Sequence, residues 1–317
     1  MNLLNFIQNF PDEESCIAHF KAQRDQIGVV CPKCGSTKHI WLKRKLRYEC
    51  THCHYRQSIR SGTVLGFSKL PFRYWYVAMH LLTSTKKSFS ASELQRQLGH
   101  KRYQPIWEMH KKLSDIMGKR DNEYQLSGQI ELDNAFITTL ISDDCKHEDL
   151  KRGVGSQNKS KVLVMTESIV VENPKQGKKP KKINHIKMQV VPDLKADTAV
   201  EIVKEQIDSK AELTTDDSKT FYKLYQAVES HKAQVIKPED LQKILPWVHI
   251  SIANVKRLLL DMHHQLKKEY LQYYLNEYCY KFNRRYFGEK MFDRLVFAAA
   301  NYNTDFKSRI YNRSLCG

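Results

Sequence analysis

Two periodicities divide the sequence. Over 71–119 apolar residues recur at helical spacing, and past Asn122 they alternate with a period of two. In the first region, 72–82 predicts an amphipathic helix and 90–99 a shorter one. Ser90 is followed three residues later by Glu93, as in a capping box, and Gly99 suits the position just past a helix end. Residues 103–117 predict a third helix with Ile106, Met109, Leu113, Ile116 and Met117 on one face. In the second region 128–137, 161–171 and 185–191 predict three strands. A helix over 196–209, a strand over 211–215, a helical turn over 219–225 and a strand over 233–236 follow. A long helix over 249–285 ends the series, with a break near 261–266. Upstream, the first 25 residues are assigned to an N-terminal helix, and 39–42, 46–49 and 55–59 read as short strands.

The cysteines give the early segment its chemistry. Cys31 and Cys34 form one CxxC pair, Cys50 and Cys53 another, with fifteen residues between the pairs. Each CxxC turn aims two thiolates at one point, and two such turns complete a tetrahedron around one structural Zn²⁺. A pair of redox dithiols explains this spacing less well. The other cysteines, Cys16, Cys145, Cys279 and Cys316, read as free thiols of a reducing, cytoplasmic compartment.

Charge narrows the partner. Among 317 residues, 52 Lys and Arg face 35 Asp and Glu, a net charge of +17. Hydrophobic residues make up 41%, enough to bury cores, which excludes a disordered chain and a disulfide mini-protein. No stretch reaches the roughly 20 apolar residues of a membrane span, and the N-terminus does not read as a signal peptide. The expected partner is a polyanion, nucleic acid first, with no membrane and no small-molecule cofactor. A merely basic enzyme is the alternative. The helices over 90–99 and 103–117 resemble a helix-turn-helix, and Lys101, Arg102, Lys111 and Lys112 on and beside the second are candidate phosphate contacts. A plain three-helix subdomain with solvated lysines would look the same. Five lysines at 175–182 mark a flexible insertion over 172–184.

The carboxylates suggest a second site. The order of elements past Asn122 is that of a ribonuclease-H-like domain with a mixed five-stranded sheet, a likeness that carries no activity by itself. Asp133 lies inside an apolar strand, where a carboxylate is costly unless paired or bound to metal. Asp216 follows the fourth strand, which neighbours the first in such a sheet. A third ligand would come from the long helix, where Asn254 lies. Such a cluster suits two hard cations, Mg²⁺ or Mn²⁺. Turn or cap duties are the plainer reading of single aspartates.

Nearly end to end, the chain resembles the ISXO-like group of bacterial insertion-sequence transposases, of DD(E/N) type with an N-terminal zinc ribbon. The matching pieces are Phe10 to Glu14, the four-cysteine ribbon, Arg60 to Thr63, Ile130 to Asn134, Leu213 to Asp217, Trp247 to Arg257 and Tyr270 to Arg285, in that order. The resemblance implies Asp133, Asp216 and Asn254 as catalytic metal ligands, with asparagine where many relatives carry glutamate. Asp217 or Asp261 could compensate for the missing charge. It also implies binding of double-stranded DNA at element ends and target. By their closeness to Asn254 along the helix, Lys256 and Arg257 are candidate phosphate contacts, with ordinary solvated helix residues as the alternative. Bringing two ends together calls for a homodimer or larger complex, in a bacterial, nucleoid-associated setting. The expected fold is multi-domain α+β: helix 1–25, ribbon 26–66, helix-turn-helix segment 67–122 and ribonuclease-H-like domain 123–317. Rival functions are a DNA-binding regulator with an inactive domain of that fold, and a structure-specific nuclease.

Overall fold

Pro11 breaks the leading segment into two helices where the sequence predicts one. Helix α1 covers Leu3–Asn9 and α2 covers Glu13–Ile27. Asp12 and Ser15 cap α2 reciprocally, side chain to backbone, so two of the amides that a helix start leaves unpaired are satisfied. The computed structural model describes residues 1–141, 156–174, 176–177, 179–235, 244–262, 266–304 and 306. They form two units, residues 1–120 with 284–317, and residues 121–283. Among the described residues no helix is long and apolar enough to cross a membrane.

In the first unit, strands β1 (His39–Leu42), β2 (Arg47–Cys50) and β3 (Arg56–Ser58) make an antiparallel sheet in sequence order. Three helices follow: α3 (Phe72–Ser84), α4 (Ala91–Leu98) and α5 (Tyr103–Asn122). Ser90 accepts from the Glu93 amide at 3.1 Å, and Gly99 closes α4 with φ 62°, as its sequence predicts. Glu93 does not complete a capping box; its carboxylate takes Arg96 and Gln97 instead. Trp75 and Tyr76 are fully buried.

The last helix, α9 (Lys290–Asn301), falls by sequence in the downstream domain, yet it packs in the first unit. The cause is an aromatic cluster. Phe292 meets Phe6, Phe10 and Tyr76 with ring centroids 5.6–6.0 Å apart, and Phe6 stacks on His80 at 4.4 Å. Such rings bury large apolar areas and gain further from edge-to-face geometry.

The second unit is a five-stranded mixed sheet. Its strands are β4 (Gln129–Thr138), β5 (Lys159–Val170), β6 (Lys181–Val191), β7 (Glu212–Asp216) and β8 (Ser230–Gln234), in the order β6-β5-β4-β7-β8. The first three pair antiparallel, while β7 and β8 run parallel to β4. Alternation fills both faces. Ile130, Leu132, Leu163 and Met165 face one way and pack with α6 (Ala196–Gln206). Ala135, Ile137, Val162 and Val164 face the other and pack with α7 (Pro246–Met262) and α8 (Leu271–Asn283). The long helix expected over 249–285 is thus two helices, with a 3₁₀ turn at Lys268–Tyr270 before the second. Strand β6 starts at Lys181, so the expected lysine-rich insertion is partly strand; Lys175 and Lys178 lie outside the described residues. Cys16 and Cys279 are buried free thiols, while Cys145 and Cys316 lie outside the described residues.

Helix α3 starts after Pro71 with no side-chain cap of its own. Glu13 supplies one from α2: its two carboxylate oxygens accept from the Phe72 and Arg73 amides at 2.7 and 2.8 Å. A carboxylate at a helix N-terminus also meets the positive end of the macrodipole. Replacing Glu13 by Ala is expected to cost about 1–2 kcal/mol and to speed hydrogen exchange at Phe72 and Arg73. Unchanged exchange at both amides, read residue by residue by NMR, would refute this cap.

Candidate active site and metal centre

Parallel pairing of β4 with β7 brings the two predicted aspartates together. Leu132 pairs with Thr215, so the next residues along, Asp133 and Asp216, lie side by side. Both point to the face that α7 covers, because Asp133 alternates in step with Ala135 and Ile137. There a pocket of about 330 Å³ is lined by Asp133, Asp216, Asp217, Ser218, Leu245 and His249, among others.

Helix α7 is held over this pocket by Glu131, two residues before Asp133 on the same face. Its Oε2 accepts from the Trp247 and Val248 amides at 2.7 and 2.8 Å. Pro246 opens the helix and has no amide to satisfy, so Glu131 takes the next two. Burial lifts the Glu131 carboxyl to about 7, against the pull of those two amides and of Lys181 and Lys179. Farther along, the Thr166 hydroxyl of β5 meets Ser251 of α7 at 3.1 Å.

The helix so placed sets His249 against the aspartates. Its Nδ1 stands 3.6 Å from Asp133 Oδ2. Burial lowers the His249 pKa, against the pull of Asp216, which favours the neutral ring. Burial lifts the Asp133 carboxyl from an ordinary 3.8 to about 6, with the charge of Asp216 adding to the rise; the Asn134 amide and Lys256 oppose it. Burial raises Asp216 as well, with exposed Asp217 adding to it. Asp216 Oδ1 and His249 Nε2 are buried with no hydrogen-bond partner among the described residues. Two crowded carboxylates, an oxygen without a donor and a neutral ring nitrogen form a set that a divalent cation would satisfy.

The third predicted ligand is not in this set. Asn254 is exposed on α7 and does not line the pocket. Five residues beyond His249 turn the helix by about 500°, which leaves Asn254 roughly 140° away around the axis. The buried face of α7 is Val248, Ser251, Ile252, Val255 and Leu259. Lys256, two turns on from His249, acts on Asp133 electrostatically while remaining exposed; Arg257 is exposed as well. Asp217 lines the pocket and Asp261 does not. Sequence reasoning missed Glu131, although its alternation with Asp133 puts both on one face.

Two other predicted contacts are corrected. Lys111 is fully buried, and Lys112 is buried with its Nζ donating to the Gly66 carbonyl at 2.9 Å. Neither reaches a solvent-side phosphate, because α5 packs around its circumference. Lys101 and Arg102, in the turn before α5, are exposed.

The four ribbon cysteines converge. All four sulfurs lie within 4.8 Å of one another, with Cys31 to Cys53 at 3.6 Å and Cys34 to Cys50 at 3.5 Å. A zinc–sulfur bond of about 2.3 Å implies tetrahedral sulfurs about 3.8 Å apart, close to these spacings. The Cys53 backbone amide helps draw the Cys50 thiol down to about 6. Cys34, despite a backbone bond from Ser36, is pushed up to about 12 by desolvation and the other thiols. Thiolates crowded this closely repel one another, and a cation at their centre would relieve that repulsion.

Residues 125–283 match the ISXO2-like transposase domain, and residues 11–56 match the transposase zinc-ribbon domain. A search of curated proteins found no match.

Two outcomes follow from these sites. Asp133 has its folded pKa raised, so its cost to folding is absent below pH 3.8 and complete above about pH 6. Asp133→Asn is therefore expected to stabilise the magnesium-free protein at pH 7–8 by up to about 3 kcal/mol. The gain should vanish near pH 4; urea unfolding at both pH values checks it, and a variant less stable at pH 8 contradicts it. Removal of zinc with a chelator is expected to unfold the β1–β3 sheet while leaving the β4–β8 sheet protected. Hydrogen exchange of the two sheets, measured side by side, decides this.

Proposed function

The chain belongs to the ISXO2-like transposase family, and on that footing we propose that it cuts and joins DNA at the ends of an insertion sequence. The observation that carries this reading is the Asp133–Asp216 pair on adjacent parallel strands, with a buried carboxylate oxygen that lacks a donor among the described residues. The strand order and the parallel pairing support a ribonuclease-H-like domain. Asp133 and Asp216 would hold two Mg²⁺ or Mn²⁺ ions, with Asp217 and His249 at the rim of the same pocket. Bound there, the cations would activate a water or a DNA 3′-OH as nucleophile and neutralise charge on the phosphodiester.

The chain's own residues do the rest. Glu131 fixes α7, and α7 fixes His249 beside Asp133. A neutral His249 can accept a proton from a nucleophile, or donate a hydrogen bond to a phosphate oxygen. Exposed Lys256 would hold the phosphate near Asp133, and exposed Arg257 would grip the backbone alongside. In the first unit, α4 and α5 are joined by residues 99–102, a turn short enough for a helix-turn-helix. Lys101 and Arg102 in that turn would contact phosphates of the terminal inverted repeats, together with the zinc ribbon. Two ends must meet in one complex, so two or more protomers act together on DNA.

The test is strand cleavage and joining on element-end DNA with Mg²⁺ or Mn²⁺. Asp133→Ala and Asp216→Ala are each expected to lower the rate by about a thousandfold or more while end binding is kept. His249→Ala should cost more than Asn254→Ala. Wild type as inactive as Asp133→Ala, with binding intact, would leave a DNA-binding regulator. Cleavage of branched substrates with no joined product would leave a nuclease.

A further inference from the structure

We propose that the tip of the β1–β2 hairpin in the zinc ribbon is a phosphate-gripping surface for double-stranded DNA, formed by Lys43, Arg44, Lys45 and Arg47. The inference rests on the DNA-binding reading above and names where the ribbon would hold the duplex.

The charge of the ribbon is concentrated and one-signed. Residues 29–58 contain seven Lys and Arg and a single acid, Glu49. That acid is already committed, since it pairs with Arg56 at 2.5 Å. The four tip residues are all exposed, and none of their side chains makes a hydrogen bond or ion pair among the described residues. Crowding like charges with no counter-charge is unfavourable in isolation, and a polyanion relieves it.

The tip is also built to be rigid. Lys43–Lys45 form a 3₁₀ turn, and Leu46 closes it in the left-handed region at φ 47°. A branched residue rarely adopts that conformation, so the turn is held from outside. The Leu46 carbonyl accepts from the Ile59 amide at 3.0 Å, and its amide donates to the Lys43 carbonyl at 3.3 Å. Below the turn, Trp41 packs on Tyr48 with centroids 4.9 Å apart, and Lys21 of α2 lies over both rings. The Tyr48 hydroxyl donates to Asp25 of α2 at 2.9 Å. A cationic loop ordered before binding loses little entropy on binding.

The shape favours a groove over a flat anionic surface. Three successive residues of a 3₁₀ turn project about 120° apart. A flat membrane would engage one or two of them, whereas phosphate walls on either side of a groove can take all three. Arg47 extends the row onto the strand.

The experiment measures duplex binding by the full-length, zinc-loaded protein as a function of salt. Each phosphate that a variant no longer neutralises lowers the slope of log K against log salt by about 0.9. Replacing all four residues by Gln is expected to reduce the slope by about 2–4 and to weaken binding tenfold or more at about 150 mM salt, on any sequence. Metal analysis confirms that the variant keeps its zinc. If it does not, Arg44→Gln alone decides, with an expected drop in slope near 0.9, and K43R/K45R should keep the wild-type slope. An unchanged slope in a zinc-loaded variant, while wild type binds DNA, overturns the tip alone. Wild type that binds phosphatidylserine vesicles and no duplex overturns both the tip and the DNA-binding reading.

Discussion

A half-buried carboxylate on β4 determines where the candidate chemistry sits. Glu131 accepts both free amides at the start of α7 and so pins the helix end to the strand that carries Asp133. When that carboxyl is ionised, such charge-assisted bonds are among the stronger ones, at about 1.5–3 kcal/mol each. Because a helix is stiff, fixing its first turn fixes the rotation of all that follows. His249 then faces Asp133, and Asn254 faces solvent. The helix face that packs on the sheet, from Val248 to Leu259, agrees with that rotation, so packing and capping point the same way.

The site also opposes its own fold. Asp133 and Asp216 are half-buried next to one another with raised pKa values, and a buried oxygen of Asp216 lacks a donor among the described residues. Evolved cores avoid such groups unless function requires them. The sheet can bear the cost because each face is packed with apolar side chains, against α6 on one and α7 and α8 on the other. Strain and support are thus separated: the central strands carry the acids, and the helices hold the strands.

Much of this was legible in the sequence because two signals are nearly geometric. The CxxC pairs fix four sulfurs by spacing alone, and the cysteines do converge. Strict alternation in β4 fixes which residues share a face, and adding the parallel β7 brings Asp216 to Asp133. Helical positions were harder. A helix turns about 100° per residue, so an error of one residue in where it starts rotates every side chain. Asn254, named from the family resemblance, stands exposed on the helix, and Lys111 and Lys112 looked solvent-facing because basic residues are rarely enclosed. The placement of α9 beside Phe6 and Phe10 depends on residues some 280 positions apart, which no local pattern encodes.

Remote capping recurs in both units and explains why both were missed. Helix α3 follows Pro71 and takes Glu13; helix α7 begins at Pro246 and takes Glu131. Proline suits a helix start but brings no side-chain acceptor, so the following amides need one from elsewhere. A glutamate from another element can serve only if the tertiary fold brings it there. The cap therefore couples two elements that a local cap would leave independent. In the first unit it ties α3 to α2, which also carries Lys21 and Asp25 beneath the ribbon hairpin. In the second it ties α7 to β4. Each helix start thus depends on an acid more than 50 residues away in sequence.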